Sequence, residues 1–286
     1  MRVVRDIAEL YEALAGSRRD GATIGLVPTM GALHDGHLSL VREACRTCEV
    51  VVVTLFVNPA QFGPGEDFGA YPRTEEADLA LLEAESVDVV YAPEPDDVYP
   101  PGFATTVAVG GLTEVLCGHP ERRGPEHFAG VTTVVAKLFN VVGPDVAFFG
   151  QKDAQQVAVI RRMARDLGFP VRIEALPTVR EPDGLALSSR NRYLDADERR
   201  RAAGLNRALE AARSTADAGA AVADAIEAAR RELDAEGIEP EYVEARDAED
   251  LTPAERFNGR PVLVALAARV GSARLIDNVV IEPRES

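Results

Sequence analysis

The chain has 286 residues, 46% of them hydrophobic and 27% charged, the balance of a folded globular protein rather than a disordered or fibrous one. Its formal net charge of −16 opposes polyphosphate backbones, no local basic patch offsets it, and no apolar run approaches the ~20 residues that span a bilayer, so neither nucleic acid nor membrane is an expected partner. The three cysteines are too few for a disulfide framework, and the amphipathic N-terminal stretch carries acids inside its apolar pattern, unlike a secretory signal, so a cytoplasmic location is expected.

In chain order, apolar spacing predicts a helix over residues 5–16, a short buried strand over 23–29 and a helix over 36–48. Cys45 and Cys48 make a lone CxxC near that helix end and read as small buried hydrophobes. A β-branched run at 50–58 is followed by a helix over 74–85, a strand at 88–93 and a buried helix at 130–142. Then come a strand at 145–150, a helix at 153–168 and a strand at 171–176. Near-continuous apolar strands between amphipathic helices imply an α/β fold, a Rossmann-like parallel sheet with helices on both faces. Composition changes near residue 177: two amphipathic helices are expected within 196–236, then strands at 241–247, 261–270 and 273–281. That order implies a smaller C-terminal α+β domain, giving domains 1–176 and 177–286.

Ligands of parallel sheets bind beyond the C-terminal strand ends, where "VPTMGALHDGH" (27–37) places two of the chain's four histidines. The first turn of the following helix is an anion site, and His34 and His37 flank Gly36, which lets a ligand approach the backbone. Plainer readings are a helix cap with a packed surface histidine, or a metal pair to which the turn adds only Asp35. "FFGQKDAQQ" (148–156) repeats the pattern: a strand end at Gly150, then Gln151, Lys152 and Asp153 opening a helix. A lysine there opposes the helix dipole, which favours a liganded role on phosphate over an idle surface one. "LALSSRNR" (185–192) offers Ser188, Ser189 and Arg190, either as a phosphate clamp or as a turn that caps the next helix. "LFVNPAQF" (55–62) ends a strand with the neutral amides of Asn58 and Gln61, which suit hydroxyl or carboxylate groups, and Gln156 can converge with them. Neither GxGxxG nor GxxxxGK[ST] occurs, so no dinucleotide or Walker-type site is supported.

Together these stretches resemble the pantoate–β-alanine ligase (pantothenate synthetase) family of the HxGH-containing nucleotidylyltransferases. The likeness runs in order through "PTMGALHDGH", "FVNPAQF", "YPRT", "HFAGV", "FFGQKDAQQ", "PTVRE" and "GLALSSRNRYLD", within the first 195 residues. It implies ATP-dependent condensation of (R)-pantoate with β-alanine through a pantoyl-adenylate, with Mg²⁺ carried mainly by the nucleotide, in a cytoplasmic homodimer. Carried over by position, His37 is the proton donor, His34 its phosphate-binding companion, and Lys152 the cation on the phosphates. ATP is held by Met30, Gly31, Ala32, Leu33, His34, Asp35, Gly36 and His37, by Gly150, Gln151, Lys152 and Asp153, and by Val179, Leu187, Ser188, Ser189 and Arg190. Gln61 binds pantoate and then β-alanine, Gln156 binds pantoate, and Asn58 joins them as a substrate residue. The first domain then binds nucleotide and pantoate, and the second serves as a lid.

One departure stands out. The family reads R-P-x-H-F where this chain has "RRGPEHF" (122–128), so Gly124 takes the arginine place and Arg123 lies one residue further from His127. Asp78 is a candidate Mg²⁺ neighbour, although Ala77 precedes it. Relatives that transfer AMP to phosphorylated substrates need a basic pocket, whereas "FVNPAQF" offers amides. A nucleotide sensor would have no need of these transition-state donors.

Overall fold

In the computed structural model, which describes residues 1–257 and 259–283, the Cα framework separates into two units. The first comprises Met1–Glu114, Gly118–Gly150 and Val159–Leu176; the second comprises Val115–Cys117, Gln151–Ala158 and Pro177–Ser286. A single cut at 176/177 therefore differs from this division in two segments, 115–117 and 151–158, which group with the second unit.

The first unit begins with a short strand β1 (Arg2–Val4), which the sequence reading leaves unassigned, and helix α1 (Ile7–Asp20). There follow β2 (Ile24–Thr29), α2 (Asp35–Thr47), β3 (Val50–Leu55), α3 (Glu75–Ala84), β4 (Val89–Tyr91) and the short α4 (Pro95–Val98). Helix α5 (Pro125–Val142) starts five residues before the predicted 130, because Pro125 sits at the first helical position, where its missing N–H is harmless. Strand β5 (Val146–Gly150), helix α6 (Ala154–Asp166) and strand β6 (Arg172–Leu176) complete the series, with α6 divided between the units.

All pairings in this sheet are parallel, and among the described residues the strand order is β1-β4-β3-β2-β5-β6. Val27, Val51, Val53 and Phe148 pack with Leu40, Val41 and Ala44 of α2 and Leu82 of α3 in one core. The alternate residues Leu26, Val52 and Ala147 are each fully buried, so both faces of the sheet are covered, as continuous apolar strands require. From β2 the chain winds outward through β3 and β4, then returns to lay β5 on the other side of β2. The carboxyl ends of β2 and β5 thus form the switch point at which sheets of this kind bind ligands. Cys45 and Cys48 are half-buried against the α2 core, and burial pushes both thiols up, as expected for packing groups.

The second unit contains α7 (Ala196–Ala202), α8 (Gly204–Asp217) and α9 (Val222–Ala235), three helices where the pattern suggested two. The break falls at Ala203, and α8 opens with Gly204, where a Cβ would stand 2.8 Å from Glu236 Cγ. Strands β7 (Pro240–Asp247), β8 (Val262–Val270) and β9 (Ala273–Ile281) form an antiparallel sheet in that order. Leu205, Leu209 and Leu233 of the helices pack on Val264 and Leu266 of the sheet. Among the described residues no helix is long and apolar enough to cross a membrane.

Helix α5 approaches the turn after β3 so closely that it requires a glycine. A Cβ on Gly130 would lie 2.1 Å from the Ala60 carbonyl oxygen and 2.7 Å from the Gln61 nitrogen, both backbone atoms. Gly130→Ala therefore has to push the helix and the turn apart. It is expected to destabilise the protein by about 3 kcal/mol, the upper end for overpacking, read as a fall in denaturation midpoint.

Candidate active site

The turn between β2 and α2 has an unusual backbone. Gly31 and Ala32 both take positive φ, 77° and 50°, and for Ala32 the left-handed conformation costs roughly 1–2 kcal/mol. What holds it is a carboxylate from α3. Asp78, 2% exposed, accepts from the Ala32 N–H at 2.9 Å through Oδ2 and from the Leu33 N–H at 2.8 Å through Oδ1. Its Oδ2 also accepts from Thr74 Oγ1 at 3.2 Å. From the other side, the Gly31 N–H donates to Thr29 Oγ1, which donates in turn to the Thr54 carbonyl. Asp78, a candidate metal neighbour from sequence, thus has both oxygens committed to backbone N–H groups and is a clamp.

The clamped turn delivers His34 to the N-cap of α2. Its Nδ1 accepts from the Gly36 N–H at 3.2 Å, and its carbonyl accepts from the N–H groups of His37 and Leu38. An Nδ1 that accepts leaves the ring proton of the neutral tautomer on Nε2. The two imidazoles stack with centroids 4.1 Å apart and planes tilted by 30°. Two positive charges at that separation would repel by about 4 kcal/mol at an effective dielectric of about 20. A donor pair of this kind over the positive end of a helix dipole suits a phosphate.

Asn58 caps, and Gln61 ends, the 3-10 turn Pro59–Gln61 that follows β3. Asn58 is 1% exposed, and its amide is fully engaged. Its Oδ1 accepts from the Ala60 N–H and from Tyr99 Oη at 2.7 Å; its Nδ2 donates to the Gly130 carbonyl and to Gln61 Oε1. Burial pushes the Tyr99 hydroxyl up to about 12, so it keeps its proton and donates at any ordinary pH. Asn58, a substrate residue in the resemblance, thus holds the Gln61 amide through its Nδ2. The Gln61 Nε2 lies 3.2 Å from the Met30 Sδ, which brings the amide to the start of the histidine turn.

Arg123 does reach this site, despite its shifted place. Gly124, with φ 79°, turns the chain before Pro125, and Arg123 Nη1 lies 3.1 Å from His127 Nε2. His127 Nδ1 is 2.7 Å from the Gln61 carbonyl oxygen. A carbonyl only accepts and a guanidinium only donates, so the His127 ring is the neutral tautomer with its proton on Nδ1. Arg123 also forks onto Glu66, with Nε to Oε1 at 2.7 Å and Nη2 to Oε2 at 2.5 Å. Burial pushes the Glu66 carboxyl up, but the hydrogen bonds and charge of Arg123 outweigh it and hold the group below its ordinary value. The lengthened spacing gave no sign of this relay.

The remaining candidates lie in the second unit. Lys152 sits in the 3-10 turn Gln151–Asp153, with Gln156 on α6 just beyond. Its neighbour Gln155 is buried and structural, accepting from the Cys117 N–H and donating to the Val115 carbonyl. Val179 and residues 187–190 come together in one loop: the Leu187 N–H donates to the Val179 carbonyl, and Arg180 bridges to Ala186. Ser188 caps the 3-10 turn Ser189–Tyr193 by accepting from the Arg190 N–H, and its hydroxyl still has a hydrogen to donate. So His34, His37, Gln61 and Gly150 belong to the first unit, and Lys152, Gln156, Val179, Ser188 and Arg190 to the second.

Comparison with known proteins follows the same motifs. The family model described as pantoate-beta-alanine ligase matches residues 2–280. The pantothenate synthetase of Moorella thermoacetica is 52% identical over 287 residues, covering 99% of both chains. That of Novosphingobium aromaticivorans is 50% identical over 289 residues, 99% of this chain and all of the other. Among solved structures, pantothenate synthetase from Thermus thermophilus superposes with a TM-score of 0.92 at 48% identity, over 99% of this chain and 100% of that one. The ligase from Francisella tularensis, complexed with beta-gamma ATP and beta-alanine, gives 0.80 at 31% identity, over 98% and 97%.

Two outcomes follow from the geometry. In Asp78→Asn the new amide nitrogen must face a backbone N–H, leaving a buried donor unmet. A loss of about 1–3 kcal/mol is expected in chemical denaturation. The lowered Glu66 value means that its pairing stabilises the fold fully above about pH 4.5 and loses that contribution as the pH falls through the folded-state value. The melting-temperature gap between the protein and Glu66→Gln is accordingly expected at neutral pH and should close in acid.

Proposed function

The chain belongs to the pantoate–β-alanine ligase family, and we propose how its residues carry out that reaction: ATP-dependent ligation of (R)-pantoate and β-alanine to pantothenate through a pantoyl-adenylate, releasing AMP and pyrophosphate. The observation that carries the residue assignment is the clamped turn after β2, which sets two stacked imidazoles on the N-terminus of α2 at the switch point of the sheet.

Pantoate's carboxylate is a nucleophile at neutral pH, so the first step needs no activating base. The obstacle is charge, because an anion approaches an anionic α-phosphate. A carboxylate oxygen bonds to the α-phosphorus, the bond to the bridging oxygen breaks, and pyrophosphate leaves with that electron pair. His34 and His37 donate to phosphate oxygens at the positive end of the α2 dipole, and Lys152 supplies the mobile cation. Residues 187–190 and Val179 complete the hold on the nucleotide. Gln61, with its amide fixed by Asn58, binds pantoate and then β-alanine, and Gln156 binds pantoate. In the second step the neutral amine of β-alanine attacks the acyl carbon, the acyl–oxygen bond breaks, AMP leaves with the oxygen, and the nitrogen sheds a proton. The 177–286 domain serves as the lid that limits hydrolysis of the adenylate.

Among the described residues no group of three or more His, Cys, Asp or Glu side chains is placed to hold a metal ion. Mg²⁺ belongs to this reading as part of the substrate, on the phosphates of ATP. Cytoplasmic location and assembly as a homodimer belong to the same reading.

The test is pantoate-dependent pyrophosphate release. His37→Ala and Lys152→Ala are each expected to lose about 10²–10³ in rate, or 2.7–4 kcal/mol, the usual effect of removing one well-placed donor. Both should keep the parent's melting temperature. A loss below about tenfold in either removes that residue from its role.

A further inference from the structure

Strand β9 carries two adjacent polar residues, Asp277 and Asn278, 3% and 6% exposed, between the apolar Leu275 and Val279. Neighbouring strand residues point to opposite faces, so each must find its own partners, and an unpartnered buried amide or carboxylate is expensive. Asp277 takes a fork from Arg180, Nη1 to Oδ2 at 2.6 Å and Nη2 to Oδ1 at 3.1 Å. Asn278 turns to the 3-10 turn that bears Lys152. Its Nδ2 donates at 2.9 Å to the Gln151 carbonyl and at 2.9 Å to the Lys152 carbonyl, and its Oδ1 accepts from Gln151 Nε2 at 3.4 Å. The backbone N–H of Asn278 donates to Asp277 Oδ1, joining the two halves.

We propose that Asn278 is a positioning residue for Lys152: it fixes the backbone of the lysine's turn so that the ammonium meets the nucleotide phosphates from a set origin. This rests on the reading that Lys152 contacts those phosphates. A lysine side chain is long and carries about 2 kcal/mol of rotamer entropy, so the element the fold can fix is its Cα. An amide gripping two successive carbonyls does that. The other end of the network adds a second tie. Arg180 also donates to the Gly184 carbonyl and bridges to Ala186, in the loop that carries Val179 and residues 187–190. One buried chain, Arg180–Asp277–Asn278, therefore registers Lys152 against the other nucleotide candidates of the second unit. Burial pushes the Asp277 carboxyl up, and the charges of Arg180 and Lys152 act against that push.

A double-mutant cycle in the full-length protein separates positioning from general support. Asn278→Ala, Lys152→Ala and the double variant are compared for pantoate-dependent pyrophosphate release at varied ATP, with melting temperatures alongside. Expected is a loss of about tenfold or more in kcat/KM for ATP from Asn278→Ala in the parent, given the cost of small misplacements. The same substitution should cost less than about twofold when Lys152 is already alanine. Asn278→Ser, which keeps one donor, should recover part of the rate and serves in place of the alanine variant if that one fails to fold. Equal losses in both backgrounds would overturn the proposal while leaving Lys152 in its role. A loss below about tenfold in Lys152→Ala alone would remove that role, and the positioning of it as well.

Discussion

A buried carboxylate holding two consecutive backbone N–H groups is the constraint from which the site is built. The turn that presents the histidines is a poor conformation by itself, with a left-handed alanine following a left-handed glycine. A glycine in place of Ala32 would relieve strain but also add freedom to the unfolded chain. Instead the fold brings Asp78 from α3, and its two oxygens collect the N–H groups that the turn exposes. Charge-assisted bonds of this kind are roughly twice as strong as neutral ones. The same turn sets His34 as a cap, and the cap fixes which imidazole nitrogen holds a proton.

The substrate side follows a different chemistry. Asn58, Gln61 and Tyr99 form a neutral network in which every amide atom of Asn58 is satisfied, so the orientation of Gln61 is set by bonds that do not titrate near neutral pH. The charged pair, Arg123 with Glu66, stands one step back and acts on the Gln61 backbone through His127. The Arg123 guanidinium is thus spent on a glutamate, and the side chain set beside Met30 is the neutral Gln61 amide.

Much of this was legible in the sequence where the signal is local. Continuous apolar runs gave the parallel sheet, and a strand, a glycine-bearing turn and a helix start located the histidines within a residue or two. Long-range partners were not legible. Asp78 is 45 residues from Leu33, Asn278 is 126 from Lys152, and nothing in local spacing marks either. The bond from Asn58 to the Gly130 carbonyl was not legible either, because a polar residue at a strand end carries no sign of its distant partners. Arg123 appeared displaced by counting, but a left-handed glycine restores its reach. β1 is three residues long and owes its pairing to β4, not to its own pattern.

Three of the supporting side chains share a logic that isosteric comparison sharpens. Asp78 and Asn278 have nearly the same shape and both grip the backbone of a site turn, yet they grip opposite groups. Asp78 only accepts and holds N–H groups; Asn278 donates and holds carbonyls. The polarity follows from which end of the peptide each turn leaves exposed. Ahead of α2 the turn presents N–H groups inward, and an anion satisfies them. The turn bearing Lys152 presents carbonyls to β9, and a carboxylate in place of Asn278 would face oxygens with no hydrogen to donate. An amide binds the same carbonyls without competing for the lysine's charge. Asn58 completes the set by doing both at once, accepting from the Ala60 N–H and donating to the Gly130 carbonyl. The charged side chain thus meets the turn that exposes N–H groups, and the neutral amide meets the turn that exposes carbonyls.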